Sequence, residues 1–320
     1  MNILVFGKDG QLGKAFHALL DAQLSAVVDK PNIQYVGRSE CDLSNTIALT
    51  ALLHQFQPNL IINASAYTAV DKAETEITLA FAINAIAPEI MAQYAVDQGA
   101  TFLHYSTDYV FDGEKYGYYL EGDLCNPLGI YGKSKATGEE AVARVFSGSS
   151  GNGQYAILRT SWVYGDGNNF IRTILRLAKD REELKVINDQ YGVPTSAQWL
   201  AQMSINLVID EKGVLRKFAS GVYHAVPAGE TTWYGLAALA VQAALDVGAH
   251  LKVAPDAIQP IPALEYPLPA PRPMNSRMST DKLRQLLEGR GDMSKLQQLN
   301  QPWDLAVRAY ISHLAKDGLI

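Results

Sequence analysis

Tyr131 and Lys135 stand four residues apart in the segment Tyr131-Gly-Lys-Ser-Lys135 and carry the side chains with the clearest chemical use in this sequence. In an α-helix this spacing places both side chains on one face. A neighbouring ammonium stabilises a phenolate, so Lys135 is expected to lower the pKa of Tyr131 from its reference value of about 10 and make it a proton donor. Because the chain contains 16 tyrosines, such a pair also arises by chance, and its surroundings must decide.

A hydroxyl and a carboxyl side chain, Thr107 and Asp108, follow one another at the end of a predicted strand upstream of Tyr131. Ligands of open α/β sheets bind at the carboxyl ends of the strands. Thr107 could therefore donate a hydrogen bond to the same substrate oxygen that Tyr131 protonates. Asp108 is a candidate substrate contact, and a strand-end cap is the alternative.

A glycine-rich loop follows the first apolar strand and precedes a helical run that starts at Lys14. Glycines permit a tight turn and a close backbone approach, so the amides and dipole of the helix N-terminus can face a pyrophosphate. The strand–turn–helix context favours dinucleotide binding over a flexible turn. The candidate cofactor residues of this loop are Gly7, Gly10, Gln11, Leu12 and Gly13.

The second predicted strand ends at Gly37-Arg38-Ser39, where an NAD enzyme usually carries an acidic residue. A guanidinium there can bind a 2′-phosphate through a charge-assisted, bidentate hydrogen bond, whereas a carboxylate would repel it. This indicates NADPH as the cofactor, with NADH as the alternative. Arg38 could instead be a solvated surface charge. Asp42 and Leu43, just beyond, are candidate contacts to the adenine.

Short apolar runs alternate with helix-length segments through the first half of the chain. The predicted strands are 3–6, 33–36, 60–63, 101–106 and 155–160. Such spacing requires crossover connections, which favour a parallel sheet with helices on both faces. We therefore predict an α/β fold with a doubly wound, Rossmann-type parallel sheet and a smaller C-terminal substrate-binding lobe.

The pattern changes after about Gly165, where prolines punctuate short elements. We predict a Rossmann domain that binds NAD(P) over residues 1–164, and a lobe made mainly of residues 165–320 that binds the substrate. Some later elements are expected to return to the sheet. The polar segments 189–195 and 272–276 show neither helical nor strand periodicity and are expected to line the cleft as loops.

Three further local predictions follow from turn and cap residues. The Gly/Ser tract 147–153 is interpreted as a surface loop. Ser279 or Thr280 can cap a helix that runs to about Glu288. A last helix is expected after Pro302.

The composition is that of an ordinary globular protein, with 320 residues, 48% hydrophobic and 19% charged. A net charge of −6 without runs of Lys or Arg argues against nucleic acid or an anionic membrane as the main partner. Cys41 and Cys125 have neither metal-ligand nor disulfide spacing. We find no signal-peptide pattern and no apolar stretch near the ~18 residues of a membrane span, the best being 236–245, and expect a cytoplasmic protein.

Motifs in a fixed order along the chain resemble those of an extended short-chain dehydrogenase/reductase: the glycine loop, Asn63-Ala-Ser-Ala66, Ser106-Thr-Asp108 and the Tyr-x-x-x-Lys segment. The resemblance narrows to the family of dTDP-4-dehydrorhamnose reductases. It covers nearly the whole chain, and the six ordered segments that carry it are 6–13, 67–74, 106–111, 161–164, 189–195 and 272–276.

This resemblance implies reduction of the 4-keto group of dTDP-4-dehydro-L-rhamnose by NAD(P)H, the last step in making dTDP-L-rhamnose for bacterial surface polysaccharide such as O antigen. It implies a catalytic triad of Thr107, Tyr131 and Lys135, in which Lys135 also holds ribose hydroxyls. Further contacts are implied along the cofactor and at the substrate. They are Ala64, Ser65 and Ala66 for the cofactor, and Asp108 and Trp162 for the substrate.

Arg272 is our candidate for the substrate pyrophosphate, because its fork can bind two oxygens and a residue before proline is held extended. A surface arginine beside a rigid turn is the alternative. Trp162 could likewise be a packed core aromatic.

One departure from the family pattern concerns metal. Some members carry an acidic residue just after the glycine loop that serves in a metal-linked dimer contact, but this chain has Lys14-Ala15. Ala15 cannot ligate a cation, so no metal is predicted and that dimer is in doubt, although a homodimer stays open.

Two other functions remain open at this point. A sugar-nucleotide 4,6-dehydratase or epimerase shares the motifs, but dehydration commonly uses Asp-Glu after the threonine, whereas Tyr109 follows Asp108 here. A non-catalytic, NADP-binding regulatory subunit of the same fold would keep the cofactor loop without turning over a sugar.

Overall fold

A computed structural model of the chain describes residues 1–24, 30–148 and 151–320. All five predicted strands are present in the first half, within one residue of the predicted bounds. The strands are β1 Asn2–Phe6, β2 Asn32–Val36, β3 Leu60–Asn63, β4 Thr101–Thr107, β5 Gln154–Thr160, β6 Val163–Tyr164, β7 Leu184–Ile187, β8 Tyr191–Gly192, β9 Thr195–Ser196, β10 Gly221–His224, β11 Thr231–Thr232 and β12 Ile258–Ile261.

The helices connect these strands and also close the chain. They are α1 Gln11–Leu24, α2 Thr46–Phe56, α3 Val70–Ala73, α4 Ile77–Phe81, α5 Ala87–Gln98, α6 Ile130–Ser147, α7 Phe170–Asp180, α8 Ala197–Val208, α9 Trp233–Asp246, α10 Asp281–Gly289, α11 Met293–Leu299 and α12 Trp303–Lys316. The predicted helices near the C-terminus correspond to α10 and α12. A π-helical segment, Ala82–Ile86, joins α4 to α5.

The central sheet has the strand order β10-β5-β4-β3-β1-β2, with every pair parallel. This confirms the doubly wound Rossmann-type fold. The order reverses between β1 and β3, and ligands of such sheets bind in the crevice at the carboxyl ends of the strands there. Strand β10 comes from the second half of the chain and pairs with β5.

Alternate residues of β1 face opposite sides of the sheet and begin two separate cores. Ile3 and Val5 pack with α1 and α8, while Leu4 and Phe6 pack with α2 and α5. This is the burial pattern expected of a parallel strand covered by helices on both faces.

The second half builds two further cores around α7, α9 and α12 and the parallel pair β7–β12. The division at residue 164 stays a prediction, since β10 and α8 belong to the sheet layer. Parts of the segments expected to be loops form short strands instead. Strand β8 pairs with β11, and its Tyr191 exchanges backbone hydrogen bonds with Met274 and Ser276.

Two sequence predictions need correction or restriction. The run Ile77–Gln98 is 22 residues long with mean hydropathy 1.3, long and apolar enough to cross a membrane, and sequence analysis overlooked it. Just over half of it, 56%, is buried inside the protein, where α5 packs against α6, as in core helices of soluble proteins. The predicted loop 147–153 includes residues 149 and 150, which lie outside the described residues, and α6 extends to Ser147.

Candidate active site

The glycine loop brings β1, α1 and β3 close enough to form a backbone cradle. Gly7 has φ +88°, and a Cβ there would lie 2.8 Å from the backbone of Ala64 and Ser65. A Cβ on Gly13 would lie 1.9 Å from the carbonyl oxygen of Gly7. Only glycine fits at either position, because one side chain would collide with the segment just after β3 and the other with the loop itself.

A groove of about 540 Å³ runs from this cradle to the start of α6. It brings together most of the residues predicted to bind the cofactor, namely Gly7, Gly10, Gln11, Leu12, Arg38, Ala64, Ser65, Ala66, Tyr131 and Lys135. Gly13 lies behind the loop. Asp42 and Leu43 line an adjoining pocket of about 340 Å³, which Arg38, Ser65 and Ala66 share.

Arg38, which follows the end of β2, faces solvent. Its side chain is 75% exposed, with Nε 3.6 Å from Asp42. The nearby carboxylate, Glu40, is held by the Lys8 ammonium at 2.5 Å and by the amide of Gly37 at 2.8 Å. These bonds lower the pKa of Glu40 to about 2, so its charge is already compensated.

Asp108 is buried at the end of β4 and receives hydrogen bonds on both carboxylate oxygens. Thr107 Oγ1 donates to Oδ1 at 2.8 Å, and Ser276 Oγ donates to Oδ2 at 2.5 Å. Burial raises the pKa of Asp108 to about 6, although these hydrogen bonds oppose the shift. Asp108 thus joins the end of β4 to Ser276, in the segment 272–276 of the second half.

Helix α6 presents Tyr131 in its first turn, and several contacts fix that turn. Glu74 accepts a hydrogen bond from the amide of Ile130 at 2.8 Å. A Cβ on Gly132 would lie 2.1 Å from the carbonyl oxygen of Tyr109, so glycine permits close packing against the segment after β4. Ser134 donates to the carbonyl of Tyr131 at 2.8 Å.

The expectation that Lys135 lowers the pKa of Tyr131 is wrong for this structure. Burial raises the pKa of Tyr131 to about 12, with hydrogen bonding to Thr107 as the main opposing effect. The Lys135 ammonium is directed elsewhere: it donates to the carbonyl of Tyr105 at 2.5 Å and lies 3.3 Å from Nε2 of His104. Burial also lowers the pKa of Lys135 to about 8, while Glu139 opposes this.

A second cavity, of about 710 Å³, is lined largely by the second half of the chain. Its walls include Thr173 of α7, Lys185 of β7 and Trp233 of α9. Tyr109 also lines it and connects it to the groove, because its ring contacts the ring of Tyr131 at a centroid distance of 5.4 Å.

Arg272 lines this cavity but is already paired. Its NH1 and NH2 groups donate to the two oxygens of Asp71 at 2.7 and 3.0 Å, and NH1 donates to the carbonyl of Ala270. The side chain is 17% exposed. The structure therefore places Arg272 beside the cavity as one half of an ion pair that connects α3 to the segment 272–276.

Trp162 stacks on Trp233, with ring centroids 3.7 Å apart and planes 17° apart. It is Trp233 that lines the cavity. Trp162 has φ +49°, which is strained for a bulky residue and is held here by that stack and by the close approach of Gly192. Its role as a direct substrate contact stays a prediction.

Sequence reasoning missed several residues at this site. Asp71 lies in the segment 67–74 and Ser276 in 272–276, so motif membership was a signal for both, but their partners are some 200 and 168 residues away in the chain. His104 and Trp233 gave no local signal. Among the residues that the structure describes, no group of three or more His, Cys, Asp or Glu could hold a metal ion.

The fold and this arrangement of Thr107, Tyr131 and Lys135 beside a dinucleotide cradle define an extended short-chain dehydrogenase/reductase. The chain matches the family described as the RmlD substrate binding domain over residues 1–313. The dTDP-4-dehydrorhamnose reductase of Escherichia coli K12 is 42% identical over 288 residues, which are 89% of this chain and 91% of that protein. The chain belongs to the dTDP-4-dehydrorhamnose reductase family.

Solved structures agree with this assignment. A dTDP-4-dehydrorhamnose reductase from Clostridium acetobutylicum is similar with a TM-score of 0.83 and 34% identity, covering 98% of this chain and 100% of the other. The Bacillus anthracis dTDP-4-dehydrorhamnose reductase in complex with NADP has a TM-score of 0.81 and 30% identity, covering 98% and 99%.

Proposed function

We propose that this protein reduces the 4-keto group of dTDP-4-dehydro-L-rhamnose to give dTDP-L-rhamnose, using NADPH. The observation that carries this is that Tyr131 lines the dinucleotide groove while its ring packs on Tyr109, which lines the second cavity. A carbonyl that enters from the cavity side meets the phenol that can protonate it. The family relatives named for this reaction support the choice of sugar.

The groove fits NADPH on grounds that belong to this chain. Gly7 and Gly13 let the loop backbone pack closely against Ala64 and Ser65 and against itself, a fold in which backbone amides can face a pyrophosphate. Among the described residues, Ser106 Oγ and Thr160 Oγ1 are buried without a hydrogen-bond partner, and both residues line the groove. Such hydroxyls are available to a polar ring substituent. Arg38 would bind the 2′-phosphate.

When bound, the nicotinamide supplies the hydride that adds to carbon 4 of the sugar. Tyr131 Oη donates its proton to the sugar oxygen as negative charge grows there, which burial and a high phenol pKa make favourable only once that charge appears. Thr107 donates a hydrogen bond to the same oxygen after turning its hydroxyl away from Asp108. Lys135 would hold ribose hydroxyls and, in its charged form, balance the tyrosinate.

We assign the second cavity to the deoxythymidine diphosphate of the substrate and the lobe of residues 165–320 to its binding. Its walls carry the cations Arg181 and Lys185 together with Arg272, which suits a diphosphate, and the ring of Trp233, which suits a base. The Arg272 fork must share its donors between Asp71 and the ligand.

The dehydratase alternative lacks the second carboxylate of its acid–base pair. In the structure Tyr109 occupies the position after Asp108, and its ring packs on Tyr131. Solved sugar-nucleotide enzymes of that kind show likeness of fold only. The UDP-glucose 4-epimerase of Thermus thermophilus, for example, has a TM-score of 0.75 at 16% identity.

The decisive experiment follows NADPH absorbance with enzymatically prepared dTDP-4-dehydro-L-rhamnose, with Thr107→Val and Tyr131→Phe as matched controls. Consumption of NADPH by the wild type, with formation of dTDP-rhamnose and strong loss in both variants, is expected. Cofactor binding without turnover would favour a regulatory subunit. Conversion of dTDP-glucose to a 4-keto-6-deoxy sugar would favour a dehydratase.

We place this activity in the cytoplasm, where NADPH and nucleotide sugars occur, with the dTDP-sugar as the only partner that the reaction requires. The net charge of −6 supports the absence of a nucleic-acid or membrane partner. A homodimer is compatible with this proposal and is not needed for it.

A further inference from the structure

A buried histidine, His104, lies under the cofactor groove and is not used by the proposed chemistry. It is fully buried on β4. Its Nδ1 is 3.1 Å from Nδ2 of Asn63 on β3, and its Nε2 is 3.3 Å from Nζ of Lys135 on α6. The imidazole therefore joins the strand that borders the cofactor cradle to the lysine of the Tyr-x-x-x-Lys pair.

Hydrogen bonds run in series from Ser65 through Asn63 and His104 to Lys135, and the donor and acceptor of each can be assigned in turn, starting at Ser65. The amide of Ser65 can only donate, and it lies 3.2 Å from Oδ1 of Asn63. The Asn63 amide therefore turns its NH₂ group to His104, whose Nδ1 must accept. A neutral imidazole with an accepting Nδ1 carries its proton on Nε2.

At the Lys135 end of this hydrogen-bond series, two donors then face each other. Nε2–H of His104 is a donor, and the ammonium form of Lys135 has only donors. A neutral Lys135 amine removes the conflict, because its lone pair accepts from Nε2–H while an N–H donates to the carbonyl of Tyr105. Each donor in this hydrogen-bond series then faces an acceptor.

The charges around Lys135 do not compensate for this conflict. Glu139 lies one turn further along α6, but its oxygens receive three hydrogen bonds from Arg159 of β5, at 2.6, 3.0 and 3.2 Å. Tyr131, on the same helix, is neutral near pH 7 because burial raises its pKa. Asp108, past the end of β4, is bound by Thr107 and Ser276.

We propose that His104 is a positioning residue: it presents Nε2–H to the Lys135 nitrogen, holds this side chain against the Tyr105 carbonyl and favours its neutral amine form. Burial, independently of this contact, lowers the pKa of Lys135 in the same direction, to about 8. Burial keeps the pKa of His104 well below its usual value, so the imidazole stays neutral. The consequence for catalysis rests on the proposed function, in which Lys135 serves in its charged form.

The tautomer can be read without any activity, by ¹⁵N NMR of the histidine side chains in the whole protein. His104 is expected to show a protonated Nε2 and an unprotonated Nδ1 between pH 6 and 9. His224 is the matched control: it is also buried in the sheet, but its Nδ1 lies 3.0 Å from the carbonyl of Ser279 and must donate. It should show the opposite tautomer, and His224→Gln identifies its signals. A protonated Nδ1 in His104 would overturn the proposal.

The second test is the pH profile of kcat/KM for keto-sugar reduction in His104→Gln, with His224→Gln as control. The glutamine can turn its amide oxygen toward Lys135 and accept from the ammonium. The basic limb of the profile should then move up by about one pH unit, as expected when a hydrogen bond favours the charged form. The control should leave it in place. An unmoved limb in a folded His104→Gln protein would refute the assignment. If the wild type shows no turnover, the proposed function is refuted, whereas the NMR result still tests the tautomer proposed for His104.

Discussion

Replacing Asp108 with asparagine should stabilise the fold at neutral pH. Asp108 is fully buried, and its two hydrogen bonds, from Thr107 and Ser276, do not offset the burial of its charge. Asparagine has nearly the same shape. Its Oδ1 can accept from Ser276, and its NH₂ group can donate to Thr107 Oγ1, so the variant keeps both contacts without the charge.

The size of the effect follows from the pKa of Asp108, which burial raises from 3.8 to about 6. This rise corresponds to about 3 kcal/mol that the ionised carboxylate costs the folded state. Because the folded pKa is raised, the cost is absent below pH 3.8, grows between 3.8 and about 6 and is complete above that. We expect Asp108→Asn to gain up to about 3 kcal/mol at pH 8 and roughly half of that at pH 5.

The assay is urea unfolding of wild type and variant at both pH values, followed by circular dichroism and compared by midpoint. Asp112→Asn is the matched control in the same loop. Hydrogen bonds, chiefly from Tyr119, lower the pKa of Asp112, so its charge stabilises the folded state above its unfolded pKa and this benefit fades at low pH. Asp112→Asn should therefore destabilise the protein at pH 8, and less so at low pH.

If Asp112→Asn behaves as expected, an Asp108→Asn protein that is no more stable than wild type at pH 8 would show that the buried charge of Asp108 does not destabilise the fold. A gain of equal size at both pH values would also contradict it. That result would assign the benefit to packing instead of to removal of a buried charge.

Three further outcomes test the other roles. Tyr131→Phe should lower kcat by ~10²–10⁴ while NADPH affinity, measured by fluorescence titration, hardly changes; near-normal turnover would remove Tyr131 as the acid. Arg38→Ala should weaken NADPH binding by ~1.5–3 kcal/mol and leave NADH binding almost unaltered, and equal losses would make Arg38 a surface residue. Arg272→Ala should weaken dTDP binding in calorimetry by ~1.5–3 kcal/mol, and more than Asp71→Asn does, since that control keeps the guanidinium; an unchanged affinity would take Arg272 out of the site.

The sheet and the glycine loop were predictable because their signals are local. Apolar runs bounded by turn residues mark β1 to β5, and the position of Gly7, Gly10 and Gly13 between the first strand and a helical run indicates the glycine loop. The glycine motif predicted Gly7, Gly10, Gln11 and Leu12 of the groove, whereas its other residues were predicted from separate motifs. Short strands such as β8 and β9 were not predictable, since a two-residue strand has no periodicity and depends on partners from elsewhere in the chain.

The electrostatics of the site were less predictable, because pKa values depend on burial and on distant partners. The spacing of Tyr131 and Lys135 predicts one helix face, which the structure has, but not that the lysine turns toward Tyr105 and His104. Likewise, Arg272 was identifiable as a cation at the cleft, whereas its partner Asp71 lies in the other half of the chain.

Helix α6 carries a residue of a stabilising ion pair, Glu139, one turn away from Lys135, which is proposed to take part in the chemistry. Arg159 and Glu139 are both buried, and three hydrogen bonds satisfy their charges, so removing either partner would leave an uncompensated buried charge. One turn earlier, Lys135 is equally buried but has no carboxylate of its own among the described residues, because Glu139 is committed to Arg159. The ion pair thus does two things: it secures α6 against β5, and it keeps Glu139 from pairing directly with Lys135, on which Glu139 then acts only through its charge. A buried lysine without a direct ion pair can lose its proton, which is the property that a residue in a proton-transfer site requires.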